Sequence, residues 1–178
     1  EWILSMPMGN DLKVLDMGCG SGVLGLTLAA ERQGWQVTLA DVSEDALALT
    51  QENVEALGVG NARMVRSDLF SAIDDAFDGI VANLPYVPES ERATLSPEVM
   101  HDPALALFGG ADGLEIIRRF VPEAFQHLKP GGWLVLEIGH DQASQVGEIL
   151  RSSGFADIEV KIDLSGVARF PFARRPIA

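Results

Sequence analysis

Apolar and polar positions come in short alternating blocks along this chain. Lys13 to Met17 is an apolar run ending in a glycine cluster, the pattern of a buried strand closing in a loop. Helical spacing follows from Val23 to Gln33 and stops at Gly34, and Gln36 to Ala40 reads as a second strand. Asp41-Val42-Ser43 opens a long helix through Leu57, with Ser43 placed to cap it and Glu44 and Asp45 suiting its positive end. Ala62 to Arg66 and Phe77 to Ala82 are further strands, running into Ser67-Asp68-Leu69-Phe70 and Asn83-Leu84-Pro85-Tyr86. After a polar stretch from Val87 to Gly110 come a helix from Gly113 to Leu128, a Lys129-Pro130-Gly131-Gly132 turn and a strand from Trp133 to Glu137. A helix from Gln142 to Ser153 precedes two strand-like segments, Ala156 to Ile162 and Val167 to Ala173, joined as a hairpin at Ser165-Gly166.

Strand alternating with helix predicts an α/β fold, a mostly parallel sheet with helices on both faces, and the closing hairpin adds an antiparallel strand at or near one edge. The 178 residues suit one domain, and 47% hydrophobic with 22% charged excludes disorder as the main state. No apolar stretch, Gly22 to Ala30 included, approaches the roughly 20 residues of a membrane span. The single cysteine, Cys19, can form no internal disulfide, and His101, His127 and His140 lack metal-ligand spacing, so a reducing cytoplasm is expected. A formal charge of −13 argues against direct binding to a nucleic-acid backbone, whose affinity comes largely from Lys and Arg. A monomer is the expected state.

Candidate chemistry gathers at strand ends. The first loop reads Asp16-Met17-Gly18-Cys19-Gly20-Ser21-Gly22; its glycines let backbone approach a ligand closely, and Asp16 can anchor it by accepting hydrogen bonds. Gly20-Ser21-Gly22-Val23-Leu24-Gly25 also matches the dinucleotide fingerprint, yet it begins four residues after Asp16, out of register with the strand end. The better match is D-x-G-x-G-x-G, which resembles the S-adenosylmethionine loop of Rossmann-like class I methyltransferases. That resemblance implies a cofactor held by Asp16, Gly18, Cys19, Gly20, Ser21 and Gly22. It makes Asp41, with Val42 beside it, the ribose ligand, places Asp68 at the adenine amino group, and packs Leu69 near the ring.

Asn83-Leu84-Pro85-Tyr86 matches the (Asp/Asn/Ser)-x-Pro-(Tyr/Phe/Trp) motif of methyltransferases acting on a planar amino or amide nitrogen. Such a nitrogen is a poor nucleophile because its lone pair is delocalised. The Asn83 side-chain oxygen and the Leu84 carbonyl can each accept one N–H, favouring the charge that grows on nitrogen. Pro85 restricts Leu84 to extended geometry and so aims that carbonyl, and Tyr86 can stack on the flat group. Asn83 also borders the expected cofactor position.

The run Asn83 to Ser90 with Pro97-Glu98-Val99 closely resembles the release-factor glutamine methyltransferases, the HemK/PrmC family. Asp102 to Leu114, Leu128 to Trp133, Leu136-Glu137-Ile138-Gly139-His140-Asp141-Gln142 and Asp163 to Gly166 extend the likeness, which spans about residues 13 to 175. It implies methyl transfer from S-adenosyl-L-methionine to the side-chain N5 of the glutamine in a Gly-Gly-Gln motif, with a release factor as protein partner. Val87 to Gly110 would then be a substrate-facing lid.

Departures are Leu84 in place of the usual first proline, and Phe108 where many members carry aspartate. The family's small N-terminal helical domain and its Pro-Arg-x-Glu-Thr segment have no counterpart in Glu1 to Asn10, which implies weaker substrate affinity. His140 reads as a surface or packing residue, and Glu98 and Glu137 show no paired-carboxylate spacing. The alternatives are an adenine-N6 DNA methyltransferase acting on a flipped base, a non-catalytic cofactor-binding module, and an NAD-linked oxidoreductase.

Overall fold

The structure is a computed structural model describing residues 2–96 and 103–177. Pro97, Glu98, Val99, His101 and Asp102, singled out above, lie outside the described residues. In chain order the elements are α1 (Trp2–Ser5), β1 (Lys13–Met17), α2 (Val23–Glu31), β2 (Gln36–Asp41), α3 (Glu44–Leu57), β3 (Ala62–Arg66) and β4 (Phe77–Asn83). A 3₁₀ turn (Glu89–Thr94) and α4 (Ala104–Leu107) lead to α5 (Glu115–His127), β5 (Leu128–Glu137), α6 (Ala143–Ser152), β6 (Ala156–Ile162) and β7 (Ala168–Arg174). The strands form one sheet in the order β3-β2-β1-β4-β5-β7-β6. Neighbours are parallel from β3 to β5, and β7 is antiparallel to both β5 and β6.

Period-two alternation within each central strand feeds two cores, one per face. Leu15, Ile80, Ala82, Leu134 and Leu136 pack with Ile117, Phe120 and Val121 of α5 and Val146 and Leu150 of α6. Val14, Val37, Leu39, Val81 and Val135 belong to the opposite core, with Leu26, Leu28 and Ala29 of α2, Trp35 and Phe172. Trp2 extends that second core, meeting the Phe172 ring edge-on with centroids 5.2 Å apart.

Several element boundaries differ from the sequence expectation. Helix α2 stops at Glu31, its last turn closed by Arg32 N–H donating to the Leu28 carbonyl. Gly34 instead lies against Asn10, where a Cβ would collide with the Asn10 carbonyl. Gly110 and Gly113 both adopt positive φ, so α5 starts only at Glu115. Strand β5 begins at Leu128: Phe77 pairs with Leu128 and Gly79 with Trp133, and the expected Lys129–Gly132 turn is a bulge within the strand. Its Gly131, at φ 79°, turns the chain back into register.

Candidate active site

At the carboxyl end of β1 the chain enters the glycine loop with Gly18, Gly20 and Gly22 all left-handed, at φ 69°, 56° and 79°. Gly18 and Cys19 N–H both donate to the Ala40 carbonyl of β2, and Gly20 N–H donates to Asp41 Oδ2 at 2.9 Å. The other oxygen of Asp41 accepts from Ser43 N–H at 2.9 Å. Ser43 Oγ accepts from Ala46 N–H, the cap expected of it. From α3, Thr50 Oγ1 donates to the Gly20 carbonyl and Asn53 Nδ2 to the Ser21 carbonyl, both at 2.8 Å. Sequence reading passed over these two residues. The only signal for them in the sequence is that polar Thr50 and Asn53 sit at helical spacing beside apolar Leu47 and Val54.

Asp16 is 1% exposed and lies beneath this loop, where Oδ2 accepts from Gly25 N–H of α2 at 2.7 Å. It props the first turn of the helix and makes no hydrogen bond to a loop amide. Burial pushes its carboxyl up to about 7, the Gly25 hydrogen bond opposes that, and the charge of Asp41 adds to it. Gly25 has no room for a Cβ, which would collide with Leu39 and come within 2.8 Å of Asp16 Oδ2. Burial first, then nearby Asp16, pushes the Cys19 thiol up to about 12, so the side chain is an inert filler. Above the loop, a Cβ on Gly20 would meet open space, and Val23 and Val42 are exposed beside it.

At the end of β3, Ser67 Oγ donates to the Leu69 carbonyl at 2.6 Å and accepts from Ala72 N–H at 3.0 Å. That turn holds buried Leu69 at φ 48°, a left-handed conformation unusual for a branched side chain. Asp68 is exposed and paired with Arg119 of α5 at 3.4 Å.

The second loop leaves β4 at Asn83, whose register partner across the sheet is Glu137, the last residue of β5. Asn83 is exposed, Leu84 is buried, and Pro85 and Tyr86 are half-buried. A Cβ on Gly18 would lie 3.0 Å from Leu84 Cδ2 and 3.4 Å from the Asn83 carbonyl, so the two loops are in direct apposition. Tyr86 O–H lies 3.5 Å from Glu137 Oε1, and the Tyr86 carbonyl accepts from Gln142 Nε2 at 2.8 Å. Burial, reinforced by the Glu137 charge and opposed by Arg169, raises the Tyr86 phenol above its ordinary value. Arg169 of β7 is itself tied to Asp163 at 2.9 Å and reaches the Ile138 carbonyl.

Downstream, Val87 N–H donates to the Leu107 carbonyl and Gly109 N–H to the Val87 carbonyl, fastening both ends of the 87–110 stretch to each other. Phe108 is buried within this pairing, with the Arg92 guanidinium 3.9 Å over its ring. That cation–π contact is what an aromatic side chain supplies at this position. His140 is exposed, as expected of a surface residue, with Asp141 4.0 Å away. Among the described residues no group of His, Cys, Asp or Glu is placed to hold a metal ion, and no helix is long and apolar enough to cross a membrane.

Comparison with known proteins agrees with this arrangement. Residues 3–110 match the family model described as methyltransferase small domain. The chain is 41% identical to the release factor glutamine methyltransferase of Deinococcus radiodurans, over 98% of its own length and 64% of that protein. It is 42% identical to the one from Koribacter versatilis, over 92% of its own length and 59% of that protein. It thus spans about three fifths of the length of these curated relatives. The crystal structure of a methyltransferase from Pyrococcus furiosus superposes with a TM-score of 0.76 at 20% identity, covering 99% of this chain and 81% of that one. The shared fold is the class I methyltransferase sheet with its antiparallel closing hairpin. With the family model matching 108 of 178 residues and close relatives matching nearly the whole sequence, the chain belongs to the methyltransferase small domain family.

Proposed function

We propose that this protein methylates the side-chain N5 of the glutamine in the Gly-Gly-Gln motif of peptide-chain release factors, with S-adenosyl-L-methionine as methyl donor. The observation that carries the reading is the Asn83–Tyr86 loop, seated at the end of β4 directly against Gly18 of the glycine loop. Likeness to relatives named for this activity supports it.

The glycine loop fits the donor: its backbone is left-handed at three glycines, there is open space above Gly20, and the Asp41 carboxylate stands at its rim. Bound there, S-adenosylmethionine supplies an electrophilic methyl group on a sulfonium. Asp41 accepts from the ribose hydroxyls while keeping its backbone contacts, since each carboxylate oxygen has two lone pairs. Leu69 and Val42 flank the adenine, Asp68 accepts from its amino group, and Cys19, Ser21 and Gly22 complete the cradle. Asp16, closed off beneath the loop, acts by holding α2 in place.

On the acceptor side the Asn83 side-chain oxygen and the Leu84 carbonyl each accept one N–H of the substrate amide, orienting its nitrogen and favouring the positive charge it develops. Asn83 positions and does not deprotonate; the proton that the methylated nitrogen sheds passes to solvent, which reaches the exposed Asn83. Pro85 aims the Leu84 carbonyl, so leucine serves in place of proline at 84 because a main-chain oxygen is what is needed. Tyr86 stacks on the amide plane, and residues 87–96 and 103–110 face the incoming protein. Translation places the partner in the cytoplasm, where a buried, unreactive Cys19 is at home.

The test is transfer of radiolabelled methyl from S-adenosylmethionine to a recombinant release factor, with the Gly-Gly-Gln glutamine changed to alanine as control. Label on the parent factor and none on the control is the expected result. Label that persists on the control moves the target nitrogen elsewhere. No label with cofactor bound favours a DNA substrate or a non-catalytic module.

A further inference from the structure

We propose that Gln142 is a positioning residue for methyl transfer, fixing the Asn83–Tyr86 loop by hydrogen bonding the Tyr86 carbonyl; this rests on the acceptor-loop reading above. Gln142 is 4% exposed and immediately precedes α6. Its side-chain amide is used at both ends, Oε1 accepting from Gly139 N–H and Nε2 donating to the Tyr86 carbonyl, each at 2.8 Å. The residue therefore joins the loop after β5 to the loop after β4. A carboxylate could make only the first bond and an apolar side chain neither, so a buried amide is the group this place requires.

The surroundings are shaped around that bond. Gly113, at φ 75°, backs onto the same carbonyl; a Cβ there would collide with the Tyr86 oxygen and come within 2.8 Å of Gln142 Nε2. Gly109 leaves matching room for the Pro85 carbonyl. Pro85 has no N–H, so the loop cannot be tethered by its own amide there, and the next main-chain carbonyl, that of Tyr86, is the handle Gln142 takes. Upstream, Asn83 is fixed by pairing with Glu137. Between these two fixed points lie only Leu84 and Pro85, and the proline ring locks its own φ and restricts Leu84. Gln142 thus sets, through Tyr86, where the Leu84 carbonyl points.

Two variants separate positioning from bulk stability. Gln142→Glu keeps an acceptor for Gly139 and loses the donor to Tyr86, and Gln142→Met keeps the volume and loses both bonds. The expected result is turnover on the release factor reduced by roughly ten- to a hundredfold at saturating cofactor, with cofactor affinity unchanged. A second readout needs no substrate: Tyr86 is the only tyrosine of the chain, so its phenolate absorbance titrates the loop itself. Loosening exposes Tyr86 to water, and in Gln142→Met, which adds no charge beside it, the phenol pKa falls toward the ordinary value. Folded variants with parental turnover and an unmoved tyrosine titration overturn the proposal. So does failure of both variants to fold, or parallel loss of cofactor binding and turnover, because either makes Gln142 a structural residue. If the parent protein methylates no release factor, the proposed function fails, and the tyrosine titration alone decides whether Gln142 fixes the loop.

Discussion

The two loops that meet at Gly18 are held by different chemistry. The glycine loop rests on carboxylates, with Asp16 under the first turn of α2 and Asp41 against Gly20. Loop and supports all fall between Asp16 and Asn53, within the first two β–α units. The acceptor loop rests on a neutral amide, Gln142, and on Gly109 and Gly113, all of which lie far downstream. The donor side is therefore compact in sequence and includes a buried carboxyl, whereas the acceptor side is assembled from distant segments and its backbone is held by a neutral amide.

The largest effect that sharpens this contrast is on stability. Asp16 ionises near 3.8 when unfolded and at about 7 when folded. Between those values the folded state holds a proton that the unfolded chain has released, so the stabilisation is full below 3.8 and is lost as pH rises through about 7. Asp16→Asn keeps an acceptor for Gly25 and should flatten that slope, so that the variant no longer loses stability as pH rises through about 7. Denaturant unfolding at a series of pH values measures it, and Gln142→Met, which adds no titratable group, in place of Asp16→Asn should leave the slope standing. An intermediate effect is expected at the rim: Asp41→Ala should weaken cofactor binding by roughly ten- to a hundredfold, as loss of hydrogen bonds to a charged group does. Calorimetric titration with S-adenosylmethionine checks it, and turnover at saturating cofactor should fall less than affinity. The smallest is Ser43→Ala, which removes the α3 cap and should cost about 1 kcal/mol in unfolding free energy.

Legibility followed the same division. The glycine loop, Asp41 and the Ser43 cap are all written within a few residues of one another; the structure makes the expected cap and joins Asp41 to the loop at Gly20. The start of β5 was hidden because Pro130-Gly131-Gly132 has turn chemistry, and only pairing of Leu128 with Phe77 extends the strand across it. Gln142 stood in a motif noted for its resemblance, yet nothing local says that its amide reaches back to Tyr86. Gly109 falls in the 87–110 polar stretch and Gly113 at the expected helix start, and it is the backbone of the acceptor loop passing beside them that excludes a Cβ. Asp16 was legible as an anchor, though what it anchors is the helix after the loop. Contacts between distant segments have no period and no neighbouring partner residue, so pattern reading does not reach them.

The proposed function has the Asn83–Tyr86 loop act in the transition state and the glycine loop in cofactor binding. Turnover of Asn83→Ala on a release factor, at saturating S-adenosylmethionine and with cofactor affinity determined on the same sample, tests it most directly. The account predicts turnover lower by roughly a hundredfold or more with affinity little changed. Near-parental turnover, or a loss confined to cofactor affinity, would contradict it.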